Sequence, residues 1–581
     1  LLLDRRQNRA FLLQTAKDGR ILLQEKTVQS VLCAGMPKGP EAKASPLPTG
    51  PVAALTVPAL DSLPSAEHVM YLDFDGETVT DPLWPSEIDG SPTIVALPAT
   101  MAGQTITEAQ IRAVWDAVAE DFRPFNISVT TIASRYSAAG ARKRMRCIIT
   151  PTNNAAPSAG GVAYLNSYSQ AGTNGYSSNI PCWSFNSGSV REMAMTISHE
   201  LGHTVGLSHD GFLDSEGRLE YYGGHGTGVT SWGALMGAPF GRPVTQWSKG
   251  DYAGRTNTED DLAIISNITN GFRYRTDDVG NSTGTARLIT DQIYGVFNDL
   301  GVISEGTDVD YHRINAGDGP INVTVTPLTT EPNLDVVLEL RDSNDALITT
   351  ANPSGSLAAT ISRNLTVGVY YLVVRRTGVG NPLDNPPSGY DAYGSLGGYR
   401  FTGNFTPLPL IPTITVEPEA PPAAIVEGRP FTLSVAVLSN SPVTYQWIKI
   451  VNGVETPINV ARSKSYKVPS ANASHVADYK VRIVNKAGTV ESNVVTVDVI
   501  LRPRIVTHPA NATFPASSNQ ALSAVVSGTP PFVFTWFKNK QPIANSNSPI
   551  FDLTGIQWSD AGSYRLEVSN SVGKAASRTA V

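Results

Sequence analysis

The chain has 581 residues, of which 41% are hydrophobic and 16% charged, and its 51 acidic and 44 basic side chains give a net charge of −7. A chain of this length is too long to fold around a single hydrophobic core, so we expect roughly three to five domains. A negative net charge does not attract a polyanion, so we expect no nucleic-acid partner. No run of 18 apolar residues is present, so the sequence predicts no transmembrane helix.

Residues 1–65 are interpreted as a pro-region or leader remnant. From Met36 to Pro64 this region is rich in proline and alanine, which is typical of a linker. Because the chain starts at Leu1 rather than Met, we expect any secretion signal to have been removed. The protein is therefore expected to be secreted, with its first folded domain starting near residue 66.

Residues 66–275 alternate strand and helix patterns, which predicts an α/β domain. A helix with a capping box begins at Thr107 and ends before Pro124. A second helix is expected from about Ser189 to about Val205. A third is expected from Thr258, with Leu262, Ile264, Ile265 and Ile268 as its apolar face. Strands are expected at 68–74, 127–132, 147–150 and 161–165.

The stretch Ser198–Asp210 reads S-H-E-L-G-H-T-V-G-L-S-H-D. His199 and His203 are four residues apart, so a helix places them on one face, where two neutral imidazoles can hold a zinc ion. Gly206 allows a left-handed turn that ends the helix and brings His209 back as a third ligand. Three protein ligands leave the fourth position open, which is typical of a catalytic site.

The pattern H-E-x-x-H-x-x-G-x-x-H resembles the metzincin zinc peptidases, and Asp210 after the last histidine resembles their adamalysin (reprolysin) branch. The resemblance implies one catalytic Zn²⁺, with Glu200 as the general base and Asp210 next to the ligands. It also implies that Met236 lies on a tight turn beneath the histidines and packs there without ligating. Ala238 stands where some metzincins carry a further tyrosine ligand, so that ligand is absent.

The segment Gly161, Val162, Ala163 and Tyr164 resembles the G-x-A-Y stretch that forms the sheet edge above the active site in adamalysin-like enzymes. An edge strand has unpaired backbone groups to which an extended peptide can add. We therefore expect these four residues to border the substrate. The alternative is an internal strand with no functional role.

The three cysteines leave two questions open. Cys147 and Cys182 either pair or stay buried thiols. Cys33 is the third, in V-L-C-A-G-M-P upstream of the catalytic domain. It resembles in part the cysteine with which some metzincins block the zinc through a pro-region thiolate. The alternative is a chance free thiol.

Residues 276–406 change to short strands with turn signals about every ten residues, which predicts an all-β sandwich. Gly301–Ile303, Thr307–Tyr311 and Leu365–Leu372 resemble the pre-peptidase C-terminal domain that accompanies secreted bacterial peptidases. Asp308 and Asp310 are interpreted either as calcium ligands or as caps of a turn. A proline-rich linker is expected at 407–422.

Two repeats follow, at 423–500 and 501–581. Trp447 and Trp536 each stand in a strand pattern, and Tyr479 and Tyr564 each close a D-Y or D-A-G-S-Y motif. The repeats resemble immunoglobulin-like sandwiches with tyrosine corners. The usual cysteines are replaced by Val435 and Val481, and by Ala524 and Leu566, so these domains must be held by apolar packing.

The overall expectation is a multidomain protein with an α/β metzincin catalytic domain and three all-β sandwich domains. Its predicted function is that of a secreted zinc metalloendopeptidase, which hydrolyses protein or peptide substrates through a zinc-activated water with Glu200 as general base. The alternative from another class is an inactive surface adhesion protein built on a metalloprotease-like domain. The presence of Glu200 and all three histidines favours the enzyme.

Overall fold

The computed structural model describes residues 55–581, apart from 158, 174, 186–187, 215–216, 220, 290–293 and 330. It also describes the backbones of two upstream strands, Leu12–Thr15 and Ile21–Gln24, which pair antiparallel. Cys33 lies outside the described residues, so the hypothesis about its thiolate stays a prediction. The chain divides into two compact units, Leu1–Thr406 and Pro407–Val581.

A five-stranded sheet lies at the centre of the N-terminal part. Its strands are, in spatial order, Gly161–Val162, Pro181–Ser184, Arg144–Ile149, His68–Asp73 and Ile127–Thr130. The four longer strands run parallel, and Gly161–Val162 adds antiparallel at one edge. Ile127–Thr130 and Pro181–Ser184 are buried throughout, as expected of parallel strands that are covered on both faces. An α/β region is thus present where the sequence predicts one.

The described helices of this unit are α1 (Glu108–Asp121), α2 (Ala133–Ala138), α3 (Ser167–Gln170), α4 (Val190–Thr204) and α5 (Asp261–Ile265). The predicted capping box of Thr107 and Gln110 is present at the start of α1. Helix α4 begins after Ser189, whose side chain accepts from the Glu192 N–H. No helix in the described ranges combines the length and apolar character needed to cross a bilayer.

Helix α5 is shorter than predicted, and Ile268, expected on its apolar face, is 79% exposed. Two asparagines account for the early end. Asn267 Oδ1 accepts from the Thr269 and Asn270 N–H groups at 2.8 and 2.9 Å. Asn270 Nδ2 donates to the Ile264 carbonyl at 3.0 Å. These side chains bond the backbone groups that a continuing helix would use.

Short strand pairs form the loops around the sheet. Three pairs are antiparallel: Glu77–Val79 with Ile94–Ala96, Thr100–Met101 with Gln104–Thr105, and Phe212–Asp214 with Gly217–Leu219. Trp232–Ala234 pairs in parallel with Val244–Gln246. This last pair holds the segment around Met236.

The second part of the unit is one hydrogen-bonded sheet of eight strands. Its long strand, Asp310–Pro327, pairs with Gly368–Arg376 through its first half and with Ala359–Leu365 through its second half. Because this one strand serves two different partners, the sheet is continuous. The other strands are Arg287–Leu288, Val296–Ile303, Val336–Arg341, Leu347–Ala351 and Gly397–Pro407, and a separate hairpin joins Val379–Asn381 to Ser388–Tyr390.

Residues before and after position 275 share one hydrophobic core. This core contains Met70, Phe122 and Trp247 from the α/β part together with Leu334 and Phe401 from the eight-stranded sheet. Hydrogen bonds cross the same boundary, since the Gly398 N–H donates to Glu120 Oε1 at 2.9 Å. The eight-stranded sheet is therefore packed into the same unit as the α/β part.

The second unit contains two β-repeats. Trp447 and Trp536 are fully buried in the two cores. Tyr479 OH donates to the His475 carbonyl at 3.1 Å and Tyr564 OH to the Asp560 carbonyl at 2.7 Å, which is the hydrogen bond of a tyrosine corner. Residues at the usual cysteine positions are apolar and buried: Val435, Val481, Ala524 and Leu566.

The strands of the first repeat begin earlier than predicted. Thr413–Val416 lies within the predicted linker but pairs with Ala436–Leu438, so it belongs to the repeat. The remaining strands of this repeat are Ile425–Val426, Phe431–Ser434, Thr444–Val451, Val454–Pro457, Ser465–Val468, Ala477–Val484, Thr489–Glu491, Val495–Val497 and Val499–Ile500. Those of the second are Arg504–Thr507, Gln520–Ser523, Val525–Ser527, Val533–Lys538, Gln541–Pro542, Ile550–Leu553, Tyr564–Asn570 and Gly573–Ala576.

Candidate active site

The end of helix α4 is a Schellman turn at the predicted glycine. Gly206 has φ +113°, the Leu207 N–H donates to the Gly202 carbonyl at 3.0 Å, and the Gly206 N–H donates to the His203 carbonyl at 3.0 Å. These are the two bonds that define the motif. The reversal brings the residues after Gly206 back alongside the last turn of the helix, so that His209 faces His203.

The three predicted histidines come together, with one ring nitrogen of each within 4.8 Å of the others. His203 Nε2 and His209 Nε2 are 3.1 Å apart. A tetrahedral zinc ion with bonds of about 2.0–2.1 Å separates its ligand nitrogens by about 3.3 Å, so this spacing fits that metal. All three side chains are buried.

Backbone carbonyls orient two of the rings. His199 Nδ1–H donates to the Leu235 carbonyl at 2.9 Å, and His203 Nδ1–H donates to the Leu207 carbonyl at 2.7 Å. A proton on Nδ1 leaves the lone pair of Nε2 available for a metal. His199 and His203 are therefore held in the tautomer whose Nε2 can bind a metal.

Glu200 is fully buried, and its carboxylate lies against the edge strand. A Cβ atom placed on Gly161 would come within 2.3 Å of Glu200 Oε1. Glycine at this position therefore gives the carboxylate the space it occupies. The G-V-A-Y segment therefore touches the histidine motif directly, through the contact of its first residue, Gly161, with Glu200.

The other residues of that segment point into the protein. Val162, Ala163 and Tyr164 are all buried, and Tyr164 OH donates to the Leu83 carbonyl at 2.9 Å. Their side chains are thus occupied by the core. The backbone of Gly161–Val162 forms the edge of the sheet.

Met236 lies beneath the histidine helix, as the resemblance implies. A Cβ on Gly202 would be 2.6 Å from Met236 Sδ, so the sulfur packs directly on the backbone between the two helical histidines. The Asp210 N–H donates to the Met236 carbonyl at 2.8 Å. Together with the Leu235 carbonyl on His199, this turn fixes both the helix and the segment after it.

Asp210 is buried and supports the loop after His209 through its backbone. Its carbonyl accepts from the Tyr222 N–H at 2.7 Å. Burial, together with the charge of the nearby Glu259, raises the pKa of its carboxyl group to about 7. Asp210 thus holds the chain after the third histidine through both of its backbone groups.

Two features of the site have no signal in the sequence. The ring of Tyr221 lies over His209, with centroids 4.5 Å apart, and 6.2 Å from the ring of His199. Beneath α4, Ser198 Oγ donates to Asp121 Oδ2 at 2.5 Å, and Asn333 Nδ2 donates to Asp121 Oδ1 at 2.9 Å. Tyr221 follows His209 by 12 positions, and Ser198, Asp121 and Asn333 come from distant parts of the chain. No spacing rule connects either set of residues.

Cys147 and Cys182 are free and buried, so the open question of a disulfide is answered against pairing. They stand opposite each other on neighbouring parallel strands. Burial and the neighbouring Cys182 raise the pKa of the Cys147 thiol well above its usual value. Both act as small apolar side chains of the sheet.

Comparison with known proteins agrees with this geometry. Residues 86–237 match the family model described as "Dual-action HEIGH metallo-peptidase", and residues 502–570 match an immunoglobulin domain model. His199–His203 reads H-E-L-G-H, one residue from the sequence in that description. The first matched region contains all three histidines, Glu200 and Met236.

Curated relatives are similar over short parts only. Hemicentin-2 of Mus musculus is 34% identical over 104 residues, 17% of this chain and 2% of the relative. Kin of IRRE-like protein 1 of Rattus norvegicus is 29% identical over 155 residues, 26% of this chain and 19% of the relative. Among solved structures, DIP-gamma IG1+IG2 is 15% identical with a TM-score of 0.25, over 29% of this chain and 96% of that chain.

Taken with the geometry of the site, the family models give the assignment. Residues 86–237 match a metallopeptidase family of the metzincin type, and an immunoglobulin domain follows at 502–570.

Proposed function

We propose that the protein is a secreted zinc metalloendopeptidase with Glu200 as its general base. The observation that carries the proposal is the convergence of three buried imidazoles, with ring nitrogens within 4.8 Å of one another, in a motif that also holds a buried carboxylate. The identity of the metal rests on the nitrogen donor set and on the 3.1 Å separation of the two Nε2 atoms. The match of residues 86–237 to a metallopeptidase family supports the same assignment.

Each residue of the site would have a distinct role in peptide hydrolysis. His199, His203 and His209 would hold the metal, which in such sites supplies a Lewis acid and lowers the pKa of a water molecule towards about 7. Glu200 takes a proton from the attacking water and returns it to the leaving amine. The edge backbone of Gly161–Val162 would bind the peptide in an extended conformation.

Two finer assignments belong to this proposal. The His209–Asp210 pair supports the adamalysin-like branch, and the eight-stranded sheet supports the likeness to the pre-peptidase C-terminal domain. The immunoglobulin-like repeats support an extracellular location. An inactive adhesion protein is less favoured, because such a protein has no use for a complete set of ligands and base.

Metal content and cleavage together test the proposal. Purified protein should contain about one zinc per chain and cleave a peptide library, and 1,10-phenanthroline should stop cleavage, with activity restored by added zinc. A protein that binds zinc at this stoichiometry but cleaves nothing would support the adhesion alternative. A protein that cleaves equally well without metal would contradict the mechanism.

A further inference from the structure

A second group of metal-type ligands lies far from the histidines in sequence. Asp277 follows the segment where Tyr274 bridges to Phe125, and Asp308 and Asp310 stand at the start of the long strand Asp310–Pro327. One carboxylate oxygen of each residue lies within 4.8 Å of the others. The cluster therefore joins the end of the α/β part to the eight-stranded sheet.

The two buried members of the cluster are held in a defined orientation. Asp308 Oδ2 accepts from the Ser304 N–H at 2.6 Å and from Ser304 Oγ at 2.8 Å. Asp310 Oδ2 accepts from Tyr399 OH. On each carboxylate one oxygen is thus fixed by protein donors. Asp308 thus caps a turn, which is one of the two roles expected for it, but only its Oδ2 atom takes part.

The other oxygen of each carboxylate lacks a donor. Asp308 is 2% exposed and Asp310 is fully buried, yet their Oδ1 atoms have no hydrogen-bond partner in the described part of the chain. Leaving a buried charged acceptor unsatisfied costs free energy, and buried charges are normally paired or bound to metals. Two such oxygens side by side indicate a missing positive group.

No neighbouring cation fills that role. Arg287, on an adjacent strand, pairs with Asp278 at 3.9 Å and with Asp299 at 3.3 Å. The charge of Arg275 acts on Asp308, but none of the ion pairs among the described residues includes the three aspartates of the cluster. Burial and the charge of Asp308 raise the pKa of Asp310 to about 9. The alternative to a bound cation is therefore a proton shared between the two carboxylates.

We propose that Asp277, Asp308 and Asp310 form a Ca²⁺ site. Every donor in the cluster is a carboxylate oxygen, which suits a hard cation and not zinc. Calcium–oxygen bonds of about 2.3–2.6 Å allow ligand oxygens to lie up to about 5 Å apart, whereas magnesium demands a tighter octahedron. Asp277 is exposed, which leaves one side open for water ligands.

Bound calcium would tie the segment that leaves the α/β part to the first residues of the long strand. Because the ion binds only the folded arrangement of these three side chains, it stabilises the first unit. The site is separate from the histidines, and this inference does not depend on the proposed peptidase activity.

The experiment uses the full chain, dialysed against EGTA and then returned to calcium-free buffer at pH 7.5. Isothermal titration with CaCl₂ should show one calcium bound per chain. Scanning calorimetry should show a higher transition temperature for the first unit in 1 mM CaCl₂ than in EGTA. Zinc content, measured in the same samples, should not change.

Asp308→Asn and Asp310→Asn each remove a ligand charge while keeping the size of the side chain. Both variants should lose the calcium-dependent shift. Asp310→Asn should melt close to wild type in EGTA, since without calcium the raised pKa of Asp310 leaves its carboxyl group protonated and uncharged at pH 7.5. Asp318→Asn, on an exposed position of the same strand, is the control and should keep the shift. Absence of calcium binding by wild type, or an undiminished shift in both variants, would overturn the proposal in favour of the shared proton.

Discussion

Ser198 Oγ donates a hydrogen bond of 2.5 Å to Asp121 Oδ2. Ser198 immediately precedes the first histidine of the motif, and Asp121 is the last residue of α1. The same carboxylate accepts from Asn333 at its other oxygen, and the Asp121 carbonyl accepts from Trp247 Nε1 at 2.7 Å. One aspartate thus connects the histidine helix to the segment just before strand Val336–Arg341 of the eight-stranded sheet.

Asn333→Ala tests this connection. Removing the amide leaves a buried carboxylate oxygen without its donor, which should cost about 1–3 kcal/mol of unfolding free energy. We expect a lower kcat for peptide cleavage with little change in KM, because the histidine helix is displaced while the edge strand is untouched. Thermal melts and steady-state kinetics measure the two effects.

The matched control for that variant is Asn344→Ala, at an exposed position of the same sheet region. Its melting temperature and kcat should equal those of wild type. If Asn333→Ala behaves like this control in both assays, the connection through Asp121 has no role in holding the helix.

Glu200→Gln tests the general base. The amide cannot take a proton, so hydrolysis should fall at least about 100-fold. Zinc should remain at about one per chain, because Glu200 is not a ligand. His203→Ala, by contrast, should lose both zinc and activity. Metal analysis and peptide cleavage on the same preparations decide the matter, and a Glu200→Gln enzyme as fast as wild type would refute the assigned role.

Gly161→Ala tests the contact between the edge strand and the base. The added methyl group would overlap Glu200 Oε1, so the carboxylate must move. A displacement of about 1 Å at a reacting group can cost about 100-fold in rate, and we expect a loss of that order with zinc content unchanged. Gly140→Ala is the control, since nothing lies within 4 Å of the added Cβ there. Equal activity of both variants would show that Glu200 tolerates the shift.

Two truncations test how much of the chain the active site needs. A chain that ends at Thr406 keeps the whole first unit and should cleave short peptides at a near-normal rate. A chain that ends at Arg275 removes Asn333 and the apolar residues that pack on Phe122 and Trp247, so we expect it to be insoluble or unfolded. Circular dichroism and peptide cleavage distinguish these results. An active chain ending at Arg275 would show that the eight-stranded sheet is dispensable.

The histidine triad was predictable because its geometry is local. The i, i+4 spacing of His199 and His203 and the left-handed turn at Gly206 need only helix geometry, and the structure has both. The support of Ser198 by Asp121 and Asn333 was not predictable, because these residues are separated by 77 and 212 positions. The length of α5 was missed for a local reason, since Asn267 and Asn270 act through side-chain bonds that an apolar pattern does not reveal.

The core shared by residues before and after position 275 also determines when the α/β part can finish folding during synthesis. Contacts between residues hundreds of positions apart form late, because the chain must close long loops first. Phe122 and Trp247 cannot complete their packing until Leu334 and Phe401 have left the ribosome. A nascent chain that already carries every histidine of the motif therefore still lacks a finished support for it until residue 401 has been synthesised.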